Sequence, residues 1–93
     1  MIEITEFKAL NKPALKAQVS IKMPKWGGFI IEQITVFEKD GARWISFPSK
    51  EYEKDGKKKY FQYNRFDTPE MSDTFRVHFF NAYDEYKIKN NII

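Results

Sequence analysis

Between residues 14 and 23 apolar and polar side chains alternate without a break. Leu15, Ala17, Val19, Ile21 and Met23 fall on one parity; Lys16, Gln18, Ser20 and Lys22 fall on the other. Period two is the repeat of a pleated strand, so this segment predicts a half-buried antiparallel strand with a polar, basic outer face. Upstream, residues 2–10 predict a first strand, with Ile2, Ile4 and Leu10 in one parity and Thr5 and Phe7 in the other. Asn11-Lys12-Pro13 separates the two as a turn. Pro24-Lys25-Trp26-Gly27-Gly28 then breaks the alternation, because proline and glycine sit poorly inside a ladder. A third strand is predicted over 29–38. Both of its parities are partly apolar, the pattern of a central strand or one covered on two faces.

Asp40-Gly41 joins this run to the next, and Asp-Gly between apolar runs is the strongest short-range sign of a β-hairpin. Residues 42–47 predict a fourth strand, with Arg43, Ile45 and Phe47 on one face and Trp44 opposite. The run stops at Phe47-Pro48-Ser49-Lys50. Residues 50–57 read as a lysine-rich loop containing Asp55-Gly56, and residues 58–64 as a short fifth strand. From Thr68 the period lengthens. Thr68 or Asp67 can cap a helix, Pro69 suits its first turn, and Glu70 complements the positive end of the dipole. Met71, Phe75, Phe79, Ala82 and Tyr86, widened by His78 and Tyr83, form one helical stripe, so a helix is predicted from 69 to about 88, ended by Asn90-Asn91. The fold expected is α+β: one antiparallel sheet of about five strands in a meander, packed by a single C-terminal helix, in one domain over 1–93.

Composition narrows the function classes. Aromatics make up 17% of the 93 residues, enough large rings to build a core in so short a chain. No run approaches the ~18 apolar residues of a membrane span, and the acidic, alternating start is unlike a signal peptide. Cysteine is absent, which excludes disulfides and thiolate zinc sites. A cytoplasmic protein with no cofactor or metal is expected. Catalysis is not. The single histidine, His78, lies between Val77 and Phe79 without an evident partner, there is no zinc-type histidine pair, and Gly27-Gly28 lacks the spacing of a phosphate loop.

Charge points elsewhere. The net charge is only +3, so clustering decides what it means. Arg43, Lys50, Lys57, Lys58 and Lys59 are the candidate phosphate contacts, with Lys22 and Lys25 as secondary candidates; Lys16 and Arg65 add to the basic set. Trp26, Trp44, Tyr52, Tyr60 and Tyr63 are interleaved with them, a combination suited to single strands, whose bases stack on rings. Two other uses stay open. The lysines of 57–59 can protect a strand edge from pairing, and an exposed sheet edge can dock a partner protein. The near balance of five basic and three acidic residues over 50–59 favours the latter. The helix is close to neutral and reads as a packing element.

The order of these features resembles the SpoVG family (stage V sporulation protein G) of small bacterial regulators. The resemblance rests on an apolar strand at Ile30–Phe37, the Asp40-Gly41 turn, a strand at Arg43–Phe47, and the Pro48-Ser49-Lys50 motif. Asp55-Gly56 follows, then a strand, then a helix carrying Asn81-Ala82-Tyr83. It spans roughly residues 2–86. It implies a homodimer built by strand pairing that binds DNA or RNA and modulates gene expression, with no small-molecule substrate. Lys50 corresponds to a basic residue implicated in binding in that family; Glu51 stands where a second is usual.

Overall fold

The strand with the cleanest alternation lies at the centre of the main sheet. The computed structural model describes residues 2–92; Met1 and Ile93, the ends of the expected domain, lie outside the described residues. β1 (Glu3–Ala9), β2 (Leu15–Met23), β3 (Phe29–Lys39) and β4 (Ala42–Ser46) form an antiparallel meander in that order. Ala17, Val19 and Ile21 of β2 are buried and register against Val36, Ile34 and Ile31 of β3. A short 3-10 turn, Pro24–Trp26, links β2 to β3.

The buried residues of β3 fall on both parities because its phase slips. Between Val19↔Ile34 and Ile21↔Ile31, β2 advances two residues and β3 three. Gln33 takes up the slack at φ 59, a left-handed conformation unusual outside glycine, and its N–H donates to Ser20 Oγ at 3.4 Å. Ile31, Ile34 and Val36 thereby reach the same core face. A second irregularity between Ile4 and Glu6 does the same for β1, setting Ile4 opposite Ile21 and Phe7 opposite Val19. A third, between residues 15 and 17, leaves Leu15 half-buried opposite Phe37, outside the core cluster that its parity predicts.

α1 (Pro69–Lys89) lies across that core face. Thr68 caps it, its Oγ1 accepting from the Met71 N–H at 3.2 Å, with Pro69 and Glu70 in the first turn and Lys87 and Lys89 in the last. At the far end the Asn90 side chain donates to the Tyr86 carbonyl at 2.8 Å. Phe75, Phe79, Phe80 and Tyr83 are the buried residues of the helix. The stripe is therefore rotated from the predicted one. Phe80 joins it, His78 is exposed, and Met71 is 55% exposed. The rings form a run: Phe47 and Phe66 against Phe75, then Phe79, then Tyr83, which meets Phe7 of β1 at 5.6 Å.

The expected single five-stranded sheet divides in two. Ser49–Lys54 (β5), expected as a loop, is a strand, and it pairs with β6 (Lys57–Gln62) as a separate two-stranded ribbon. Every residue of both strands is exposed. The ribbon is about 20 Å long at the usual strand rise. The molecule is elongated, with extents of 47 × 34 × 23 Å. The radius of gyration, 14.3 Å, exceeds the ~12 Å of a compact chain this long.

Candidate nucleic-acid interface

The ribbon begins at Pro48-Ser49 and turns at Asp55-Gly56. Both turn residues have positive φ, 54 and 74, the geometry of a type I′ turn. With two residues in the turn, Lys54 faces Lys57, Glu53 faces Lys58, Tyr52 faces Lys59, Glu51 faces Tyr60 and Lys50 faces Phe61. Residues opposite each other across a ladder share a face, and the face changes at every step.

Alternation therefore sorts the charges. One face carries Lys50, Tyr52, Lys54, Lys57, Lys59 and Phe61: four lysines, two rings and no acid. The other carries Ser49, Glu51, Glu53, Lys58, Tyr60 and Gln62. Lys58 Nζ lies 3.6 Å from Glu51 Oε1, so its charge is compensated on that face. The near balance of sign along residues 50–59 becomes a segregation in space.

Of the residues singled out from the sequence, Lys50, Lys57 and Lys59 are brought together. Lys58 is not, because odd and even positions of one strand point apart. Lys54, which the sequence reading passed over, joins the basic face. Arg43 is elsewhere and engaged. It projects from β4 toward α1, donating to Asp84 Oδ1 at 2.7 Å and Oδ2 at 3.2 Å, with its guanidinium carbon 4.3 Å from the Phe80 ring centroid. The hydrogen bond to Asp84 is the main reason its pKa is raised. A phosphate at Arg43 has to displace that carboxylate. Lys22 lies on β2 opposite Glu3 and Ile30, and its Cε runs 3.4 Å from where a Cβ on Gly28 would sit. Lys25 is exposed in the 3-10 turn beside Trp26.

The aromatics divide likewise. Trp44 stacks on Phe37 at 5.4 Å and 2° between planes, a cross-strand pair on the sheet face away from α1. Tyr60 is on the acidic face of the ribbon, 66% exposed. Tyr63 continues the basic face past the end of β6. Its N–H donates to the Pro48 carbonyl at 3.4 Å, and its ring meets that of Phe61 edge-on at 5.8 Å.

At the foot of the ribbon Tyr63 enters a groove of about 590 Å³, lined also by Trp26, Phe29, Phe66 and Met71. Among the described residues, Arg65 and Asp67 are its only charged lining residues. Among the described residues no helix is long and apolar enough to cross a membrane, and no three His, Cys, Asp or Glu side chains gather as a metal site. No family model, curated protein or solved structure matches the chain.

Proposed function

We propose that the protein is a small regulatory protein that binds DNA or RNA, gripping the phosphate backbone with the basic face of the ribbon. One observation carries this reading. The pleat places Lys50, Lys54, Lys57 and Lys59 on one side of an exposed ribbon and every glutamate of β5 on the other. A ribbon that merely needed solubility has no use for such sorting. A row of uncompensated ammonium groups is what a phosphate chain requires, since each neutralised phosphate releases counterions. Backbone contacts of this kind position a nucleic acid without reading its sequence, so modest sequence preference follows. A homodimer, as the SpoVG resemblance implies, presents two such ribbons, and joining two weak sites raises avidity.

The test is fluorescence anisotropy with labelled DNA and RNA at about 50 and 200 mM salt, where phosphate contacts separate from other binding. The double variant Lys57→Glu/Lys59→Glu is expected to weaken binding to all sequences alike and to flatten the salt dependence. Unchanged binding in that variant removes the ribbon from the interface. Absence of binding at low salt favours instead a protein partner docked on the free strand edges.

A further inference from the structure

Resting on that reading, we infer that the bound nucleic acid is single-stranded, and that the groove at the foot of the ribbon takes an unstacked base from it. The basic face and the groove form one track. From the tip it runs through Lys54 and Lys57, Tyr52 and Lys59, and Lys50 and Phe61. Phe61 touches Tyr63, and Tyr63 lines the groove. Charge thus gives way to apolar surface along a single path. A strand whose phosphates follow the lysines arrives with its bases at the rings.

Three of the groove's rings and Met71 are bare, while Phe47 and Phe66 are half-buried and Phe75 is buried. Trp26 is 73% exposed, Phe29 46%, Tyr63 58% and Met71 55%. Left in water, such a cluster marks a binding surface. The occupant has to suit both the lysine row that leads into the groove and a nearly uncharged lining. An aliphatic peptide or lipid chain does not account for the lysines. A duplex satisfies the lysines and leaves the groove empty, because its bases are already stacked inside. A single strand satisfies both, since every base offers a flat face to an aromatic ring. Lys25, beside Trp26, and Arg65, in the groove lining with Asp67, leave a net positive charge at this end of the track.

Trp26 itself reports the event. The variant Trp44→Phe keeps an aromatic ring against Phe37 and leaves Trp26 as the sole tryptophan. It is titrated with a thymidine oligonucleotide of roughly twelve residues, within the footprint of single-strand binders, and with a duplex of equal length. The expected result is saturable quenching of Trp26 by the single strand and none by the duplex, with the single strand bound more tightly. In the otherwise wild-type chain, Trp26→Ala is expected to weaken single-strand binding roughly fivefold or more and to leave duplex binding unchanged. Equal affinity for both strand types with no quenching overturns the groove assignment while leaving the ribbon reading intact. Binding to neither removes both. A Trp26 signal that changes with protein concentration alone assigns the groove to a second copy of the chain and overturns the base site.

Discussion

Arg43 of β4 and Asp84 of α1 form a two-point ion pair, at 2.7 and 3.2 Å, that fastens the last strand of the sheet to the helix. The side chains are 35% and 46% exposed, so solvent screens the pair. A double-mutant cycle with Arg43→Ala and Asp84→Ala, read by urea unfolding, is expected to give a coupling of about 0.5–1 kcal/mol. Arg43→Ala alone also uncovers Phe80. It is expected to destabilise the fold without altering nucleic-acid affinity. A large loss of affinity in a fully folded Arg43→Ala protein restores Arg43 to the interface.

Lys54 and Lys58 make opposite predictions despite their similar position near the ribbon tip. Lys54→Ala is expected to lower the salt slope of binding by about 0.7–0.9, the yield of one lost phosphate contact. Lys58→Ala is expected to leave it unchanged, because Lys58 lies with Glu51 on the other face. The comparison reads the orientation of the ribbon, since both variants remove one unit of charge.

The ribbon has no buried residue in either strand. A two-stranded hairpin without a packed face is marginal in water, and its amides open without disturbing the core. Hydrogen exchange is expected to be fast throughout β5 and β6 and slowest in β2 and β3. Gly56→Ala puts a side chain at φ 74, a left-handed strain of about 1–2 kcal/mol, and is expected to loosen the ribbon alone. Phe79→Ala removes a fully buried ring and is expected to cost about 3–5 kcal/mol of global stability. Equal protection of ribbon and sheet rules out an independent arm.

Tyr83 links stability to alkaline pH. Burial, the largest cause, pushes its phenol above the ordinary value of 10.0, with Glu38 and Asp84 adding to the rise. Below that value the phenol is neutral in both folded and unfolded chains, and its contribution is fully present. As pH rises past it the unfolded chain ionises first, so this contribution is lost progressively toward the folded pKa. Tyr83→Phe keeps the ring and removes the proton. Its stability is expected to fall less steeply than wild type above about pH 10, the reference phenol value. Parallel curves for the two proteins sink the assignment.

Much of this architecture is legible in the sequence. Period two marks β2, Asp40-Gly41 marks the turn between β3 and β4, and Thr68-Pro69-Glu70 marks the start of the helix. Trp44 and Arg43 were correctly set on opposite faces of β4. The parts that stayed hidden have a common cause: hydrophobic periodicity reports burial against a regular lattice. The slip at Gln33 shifts the lattice, so β3 reads as covered on two faces when its buried residues, Ile31, Ile34 and Val36, share one and Ile30 and Phe37 lie on the other. β5 buries nothing, so no apolar rhythm announces it and hydropathy alone reads it as a loop. Its signal was present in charge instead of hydropathy, in the strict alternation Lys50, Glu51, Tyr52, Glu53, Lys54. The net count of charges along residues 50–59 carries no parity, so it shows neither the lysine face nor the opposite placement of Lys58. A helical stripe that starts at the exposed Met71 is out of phase with Phe80, which is buried.

Because the ribbon leans on nothing, its side chains are free of the packing constraints that govern the core. Replacing a lysine on one face, or a glutamate on the other, removes no buried contact and opens no cavity. The strength and polarity of the arm can therefore drift, or be redesigned, at little risk to folding, provided residues change in place. Adding or losing one residue in either strand is different in kind. It slides every position beyond that point across the plane of the ribbon, trading lysines for glutamates in a single step. The arm tolerates substitution and is vulnerable to a shift of frame within the strand.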